Sequence, residues 1–513
     1  MKKIKYLVFL MVLVFSSCED ATTITQDGEV NDVATFTSTG QMRLYLMEAY
    51  DKIDGGSNNL NGIAVSSILT DEVGVGKNGS ASSFYKFSVS TDNGYSNVIW
   101  LDNYTVINYC NRIIRGSALV TPVDAADQLA YNDILAQAKA LRAYSHLQLL
   151  TYFSTNMKDD NALGVILMDR VPNLLERLPR NTNGEVFSLI ESDLDYAYAN
   201  IQPSPASTLK PWTYVSKGMI NAVRARMYAY RGMYTLAEQY ATSAIADSGV
   251  GIANGTTYTS SAAFYAAAGS NNTYKKMFQD LDRGEVIWSI GRSVGKTSIA
   301  STYFVNATNA GGLAVFDMNR NLFNILDNGG APWDIRRRVN IDPTATVDVN
   351  YLTSSNYTTS DNLCIDKYSG ITGAGAGLIN DLKAFRVSEM VLIQAEARAF
   401  ANDLPGVATL LKSIRDKRSI TGPRPLPTYA NATEAWADIL LERRVELCFE
   451  GHRYIDLKRL GALANQTIDR HPLDCSSYSL PECSFPVTDY RFTLPIPLDE
   501  VSGNPTIQQN PGY

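Results

Sequence analysis

The stretch from 213 to 247 constrains the fold more than any other. Ala225, Tyr228, Ala237, Ala241 and Ala244 follow one another at spacings of 3, 9, 4 and 3, with Gly232 between the two halves. Small residues at helical spacing let two antiparallel helices lie close together, and glycine supplies the turn. Helical period recurs at about 97–117, 126–154, 184–201, 213–231, 234–247, 383–402, 404–419 and 433–449. From Asp133 to Phe153 the pattern is apolar on nearly every side except Lys139, Arg142 and His146. That predicts a mostly buried helix with one wet edge.

The small and aromatic positions of 213–247 match those of a tetratricopeptide repeat. Segment 385–415 (Ala395, Ala397, Phe400, Gly406, Ala408, Leu411) repeats them more loosely. The expected fold is therefore mainly α: degenerate tetratricopeptide-type helical pairs supporting a loop-rich region with a few short strands. The helical scaffold is expected over about 36–248 and 381–465. Residues 249–380 are rich in Gly, Ser, Thr and Asn, with scattered aromatics, and Glu285–Ile290 reads as a short strand. Long ordered loops on a helical scaffold are where binding usually resides. The final stretch, 466–513, reads as extended and proline-broken.

The first residues are not fold. Lys2, Lys3 and Lys5 precede ten unbroken apolar residues, Tyr6–Phe15, too short to span a bilayer. Ser16-Ser17-Cys18 follows, small residues before a cysteine, which looks like a bacterial lipobox. Residues 1–17 are then a lipoprotein signal peptide, Cys18 the lipidation site and 18–35 a lipidated tether, leaving 36–513 as a single large domain. Glu19 and Asp20 resemble the acidic surface-export signal of Bacteroidetes lipoproteins. Cleavage removes lysines and no acid, so the mature chain is more acidic than the formal −7 of the whole. That charge excludes a nucleic-acid footprint. The 29 tyrosines suit a wet surface that also grips something.

Catalytic motifs fail on context. Gly291-Arg292-Ser293-Val294-Gly295 fits a nucleophile elbow, but the residues after it lack the helical stripe an elbow needs. Gly373–Gly377 has no strand–turn–helix unit around it to cradle phosphate. Three histidines and no Cys/His cluster of zinc spacing leave no metal of transition type and no cofactor. Of the six cysteines, Cys475 and Cys483 flank a short Ser/Pro-rich loop and could pair.

The densest charge lies between Glu442 and Leu460. Arg443 can reach Glu446, and Asp456 can reach Arg459, at i+3. Glu442, Glu446 and Glu450 line one face at i+4, so basic partners must come from elsewhere. As an active site such carboxylates could serve a glycosidase. As structure, Glu442, Arg443, Glu446, Glu450, Arg453 and Asp456 form an ion-pair clasp where helices meet, with Gly451 between them. The clasp is the preferred reading.

Ile439–Leu460 resembles the Glu-Arg-Arg, Glu-Leu, Phe-Glu-Gly, Arg, Asp-Leu-Lys-Arg signature of the SusD/RagB family. Trp100, Tyr104, Ile107 and Asn111, then Ala140–Tyr144, Ile190–Leu194, Asp334–Arg336, Arg386 through Ala397, and Pro495–Pro497 with Gln509–Tyr513 agree with it in order. The resemblance implies a lipid-anchored outer-membrane protein, exposed on the cell surface. Such a protein is non-catalytic and captures oligosaccharide for a SusC-like TonB-dependent transporter. Peptide capture by a RagB-type lipoprotein is the alternative, and a glycosidase ranks below it. No ligand residue transfers with the motifs. Tyr85, Tyr303, Phe304 and Trp333, aromatics outside helical stripes, are the expected binding rings. Exposed rings beside Asn306, Asn309, Asp317 and Asn319 would offer a pyranose both a stacking face and hydroxyl partners.

Overall fold

The computed structural model describes residues 32–54, 58–76, 79–173, 175–205, 207–255, 272–293, 296, 298, 300, 314–330, 332–342, 363–368, 379–476 and 479–513. The expected signal peptide, Cys18, most of the expected tether, Tyr303, Phe304, Asn306, Asn309 and the Gly373–Gly377 run lie outside them. The end of the expected tether, Asp32–Thr35, forms one helical turn.

The protein is mainly helical. Its principal helices are α1 Thr39–Asp54, α2 Asn58–Ile68, α3 Gly94–Ser117, α4 Ala125–Phe153, α5 Asn183–Asn200, α6 Lys217–Tyr230, α7 Tyr234–Ser248, α8 Arg320–Asp327, α9 Val387–Phe400, α10 Leu404–Arg418, α11 Ala432–Glu446, α12 Arg453–Ala464 and α13 Leu498–Gly503. Their starts are written in capping residues. Asn93, Asp124, Ser216 and Asn431 accept from backbone N–H groups of the first turns of α3, α4, α6 and α11, and Thr182 with Glu185 closes a reciprocal capping box on α5. The periodicity did not single out α2, because Ile63, Ala64, Val65 and Ile68 are all buried and leave no polar face to define a stripe.

The helices pair as the small residues require. Ala225 of α6 and Ala237, Ala241 and Ala244 of α7 are fully buried, and the Tyr228 and Tyr240 rings stack at 5.4 Å. At the far end of the pair a Cβ on Gly218 would lie 3.1 Å from the Ser248 backbone, so a larger residue there would push the helices apart. Gly232 turns the chain at φ +75°. α9 packs on α7, α10 and α11. Ala395, Ala408 and Leu411 are buried as the looser repeat implies, but Phe400 is 64% exposed, its ring tilted against Tyr234.

Two short antiparallel ribbons break the helical pattern. β1 (Val73–Val75) pairs with β3 (Phe316–Met318), Gly74 opposite Asp317. β2 (Val286–Ile290) pairs with β4 (Leu382–Arg386), Trp288 opposite Phe385. The helix expected from 383 starts at Val387 because the preceding residues pair with β2 instead. Trp288 is wholly buried, edge-on to Tyr144 at 5.0 Å. α11 ends at Glu446, and the turn to α12 carries Phe449 at φ +62° as well as Gly451 at +89°. The Phe449 N–H donates to Glu72 at 3.2 Å, which helps hold a conformation a bulky side chain avoids. Cys475 and Cys483 form a disulfide, while Cys110, Cys364 and Cys448 are buried thiols.

The wet edge expected on α4 survives only at Lys139, which is half-buried. Arg142 and His146 are buried, Arg142 bonding Asp193 at 2.7 Å and Asn111 at 2.6 Å. His146 Nε2 accepts from the Met168 N–H at 3.2 Å, which leaves Nδ1–H to donate to the Arg142 carbonyl at 2.9 Å. Burial pushes this imidazole down to about 4. The polar stripe is a seam joining α4 to α3, α5 and the segment after Gly164.

Candidate functional site

Two constellations and one groove are candidates. The first is built on α11, whose acidic stripe points inward. The side chains of Glu442, Glu446 and Glu450 are at most 3% exposed. Arg336 donates to Glu442 at 2.6 Å and to Glu446 at 2.9 Å, and also clasps Asp334. Arg386 reaches Glu446 at 2.9 Å and Glu450 at 2.7 Å, and pairs with Glu285. Arg418 bridges Glu446 at 2.8 Å and Glu285 at 2.9 Å. Lys367 meets Glu450 at 2.6 Å and Arg415 meets Glu442 at 2.7 Å. Burial raises the Glu446 carboxyl, but Arg418, Arg386 and Arg336 outweigh it and hold it well below the usual range. A glycosidase acid or base needs a carboxyl that faces a cleft and can exchange its proton. Glu442 and Glu446 are sealed among guanidiniums that hold them as anions, and Glu450 is engaged by Arg386 and Lys367, so they do not supply that pair.

The neighbouring residues of the expected clasp choose other partners. Arg443 does not bond Glu446. It turns across the helix to Asp456 at 2.7 Å and Glu396 at 3.2 Å, because Glu446 already serves three guanidiniums. Arg459 meets Asp456 at 2.9 Å, as the i+3 spacing implied, and also Glu396. Arg453 goes to Asp71 at 2.7 and 2.8 Å, tying α12 to the segment after α2.

Of the second constellation, the expected aromatic face, only Tyr85 and Trp333 lie among the described residues. Tyr85 is wholly buried: Arg470 lies 4.1 Å from its ring centre and its hydroxyl donates to the Asp474 carbonyl at 3.3 Å. A ring in a Ser-rich loop read as exposed, but the loop folds under Arg470 and the disulfide-closed turn. Phe84 is buried against Tyr95 at 4.6 Å. Trp333 is half-buried, with the Arg424 guanidinium over it at 4.0 Å. Asn319 caps α8 and donates to Asp474 at 2.8 Å, and Asp317 is buried in the β1–β3 ribbon. Neither is free to meet a hydroxyl. Gly291-Arg292-Ser293 follows β2 as expected, with Ser293 exposed; the rest of that motif lies outside the described residues.

The groove was not anticipated. It encloses about 490 Å³ between α3, the segment 166–178 and α13. Trp100, Tyr104, Asn108 and Arg112 line it, four residues apart along one face of α3. Trp100 forms its buried floor, donating from Nε1 to Glu500 at 3.2 Å. Tyr104 stands edge-on to it at 4.9 Å and donates to the Ile166 carbonyl at 2.9 Å. Met168, Val171, Pro172, Asn173, Glu176 and Leu178 make the opposite wall. The Asn108 Oδ1 is buried with no hydrogen-bond partner among the described residues. An orphaned acceptor of this kind costs about 1–3 kcal/mol. Volume, rings and a few polar groups are those of a small-ligand site.

Residues 334–513 match the family model described as the SusD family. The chain is SusD-like. It is 22% identical, over the full length of both chains, to SusD-like protein P2 of Formosa agariphila. A SusD superfamily protein of Bacteroides vulgatus superposes with a TM-score of 0.72 at 20% identity, covering 93% of this chain and 99% of that one. A laminarin-binding SusD-like protein does so with a TM-score of 0.66 at 19% identity, over 93% and 100%. Within this SusD-like fold the family match takes in α9–α13 and the carboxylates of α11. α3, which carries the groove, lies outside the matched residues.

Proposed function

We propose that this chain is a carbohydrate-binding lipoprotein of the outer-membrane surface, anchored through Cys18, that hands oligosaccharide to a SusC-like TonB-dependent transporter. A domain of residues 36–513, carried on its tether, does the capturing without catalysis. The observation that carries the reading is the groove along α3. Rings at its floor and edge suit a pyranose face, and Asn108, Arg112, Asn173, Glu176 and Glu500 beside them suit hydroxyls. The laminarin-binding relative of the same fold supports that choice of ligand class. No feature of the acidic chain favours nucleic acid.

A peptide is the second reading, favoured by one observation. Leu101, which lines the groove, is 52% exposed, which gives an apolar side chain somewhere to sit. A panel of oligosaccharides and peptides titrated against the mature chain separates the two. The expected result is an oligosaccharide whose affinity falls at least tenfold in Tyr104→Ala and in Asn108→Ala. Binding untouched by both variants removes the groove from the reading, and a peptide-only response removes the glycan.

A further inference from the structure

A second cavity of about 150 Å³ lies at the junction of the α4 C-terminus and α12. Every ionisable lining group other than Tyr230 is a cation: Lys158, Lys458 and Arg459. Arg459 is already neutralised, since Glu396 and Asp456 both bond it. The other two are not. Among the described residues no carboxylate forms an ion pair with Lys158 or Lys458. Elsewhere in the core Arg142, Arg226, Arg336, Arg386, Arg418 and Arg453 are each fixed to a carboxylate, while Arg180 and Arg470 have their protons taken up by backbone carbonyls and Asn510. Lys458 donates to the Ser154 carbonyl at 2.8 Å and to Thr493 Oγ1 at 2.9 Å, which occupies two of its three protons. Burial pushes its ammonium down to about 7. Positive charge beside the apolar walls of Met157 and Ile455, in an acidic protein, is a local reversal that calls for an anion.

We propose that this cavity is an oxyanion-binding site, taking a sulfate, phosphate or carboxylate group between Lys158 and Lys458. The exposed residues Thr155, Asn156 and Lys158 form the mouth, so a ligand group enters from solvent. The volume holds several waters and so admits a tetrahedral oxyanion. Lys458 holds the anion from below with its remaining proton. Lys158 closes over it from the mouth. The shared chemistry fits a free inorganic anion or the acidic substituent of a sugar. The site is separate from the groove on α3 and does not depend on what the groove binds.

The test is calorimetric titration of the mature chain with sodium sulfate in a low-salt buffer, with inorganic phosphate, glucuronate and galactose 6-sulfate as further arms. Saturable sulfate binding is expected, at least tenfold weaker in Lys458→Met and in Lys158→Met and retained in Lys458→Arg. Lys158 is exposed, so Lys158→Met folds even where a change at Lys458 disturbs the helix junction. Tighter binding of the two sugar acids than of sulfate assigns the site to a sugar substituent, and the reverse order to a free anion. Absence of saturable binding to all four probes overturns the proposal. So does sulfate affinity unchanged in Lys158→Met together with Lys458→Met.

Discussion

Glu446→Gln tests the buried charge network most directly. Glu446 accepts from Arg336, Arg386 and Arg418 at 2.8–2.9 Å, with none of the four side chains more than 1% exposed. Glutamine keeps the shape and one acceptor oxygen but leaves three guanidiniums one negative charge short. Each ion pair is worth about 4 kcal/mol at an effective dielectric near 20. Lost desolvation of the carboxylate and the amide's own hydrogen bonds offset most of that sum. The net cost expected for breaking a buried pair is about 3–5 kcal/mol. Urea unfolding of the mature chain at pH 7 reads it as a lower midpoint with an unchanged slope. The pH profile has a definite sign. The folded-state carboxyl is held well below its usual range, so its contribution is present above pH 4.5 and disappears as pH falls through the folded value. The mutant deficit should therefore hold from pH 7 to about pH 5 and shrink in stronger acid. Adding Arg418→Met to Glu446→Gln restores charge balance, so the double variant should be less destabilised than the two single losses added. A loss under about 1 kcal/mol in Glu446→Gln would mean that the guanidiniums are compensated elsewhere and the network argument fails.

Further outcomes follow from single sites. Cys18→Ala should abolish fatty-acid labelling and release the protein from the outer membrane; labelling that persists refutes the anchor. Opening the Cys475–Cys483 loop, with its sequence separation of 8, should cost about 2.5 kcal/mol by loop entropy, read as a lower melting temperature in reductant that the Cys475→Ser/Cys483→Ser variant no longer shows. Tyr85→Ala should destabilise by about 3–5 kcal/mol through the cavity it leaves, without changing ligand affinity in the folded fraction. Burial raises Glu72 to about 7, against which its bonds from Ser67 and Phe449 only partly act. A raised acid pKa means stability declines as pH climbs from about 4.5 to 7, so Glu72→Gln should be more stable than the native chain at pH 8 and lose that advantage at pH 4.

What could be read from the sequence was whatever is local. The α6–α7 pair was legible because alanines at helical spacing and one turn glycine determine it without help from the rest of the chain. The acidic stripe of α11 was legible as a demand for cations. Which cations answer was not, since Arg336 lies 106 residues from Glu442 and Arg386 lies 60 from Glu446. No periodicity links such positions; only the packed fold brings them together. Arg443 shows the same limit at short range. Its i+3 partner was correct in distance along the helix and wrong in fact, because competition from three distant guanidiniums had already saturated Glu446.

The groove makes the point for function. α3 has two inward faces: Ile99, Val106, Ile107 and Cys110 enter the core, while Trp100, Tyr104, Asn108 and Arg112 form a second stripe four residues apart. The stripe is visible in the sequence, but a tryptophan inside a helical period is most often core. Trp100 is indeed buried. What turns the stripe into a cavity wall is the opposite side. The segment carrying Val171-Pro172-Asn173 stands off the helix because Asn111 holds it through the Met168 and Arg170 carbonyls, at 3.0 and 2.8 Å. Arg142 fixes Asn111 in turn at 2.6 Å. The polar seam taken for a wet edge on α4 is thus what sets the width of the groove. Asn111→Leu should therefore narrow or collapse it, weakening ligand binding at least tenfold although the side chain lines no part of the cavity, while Asn111→Asp, which cannot donate to either carbonyl, should weaken it as well. Affinity unchanged in both variants would show that the segment holds its position without this anchor.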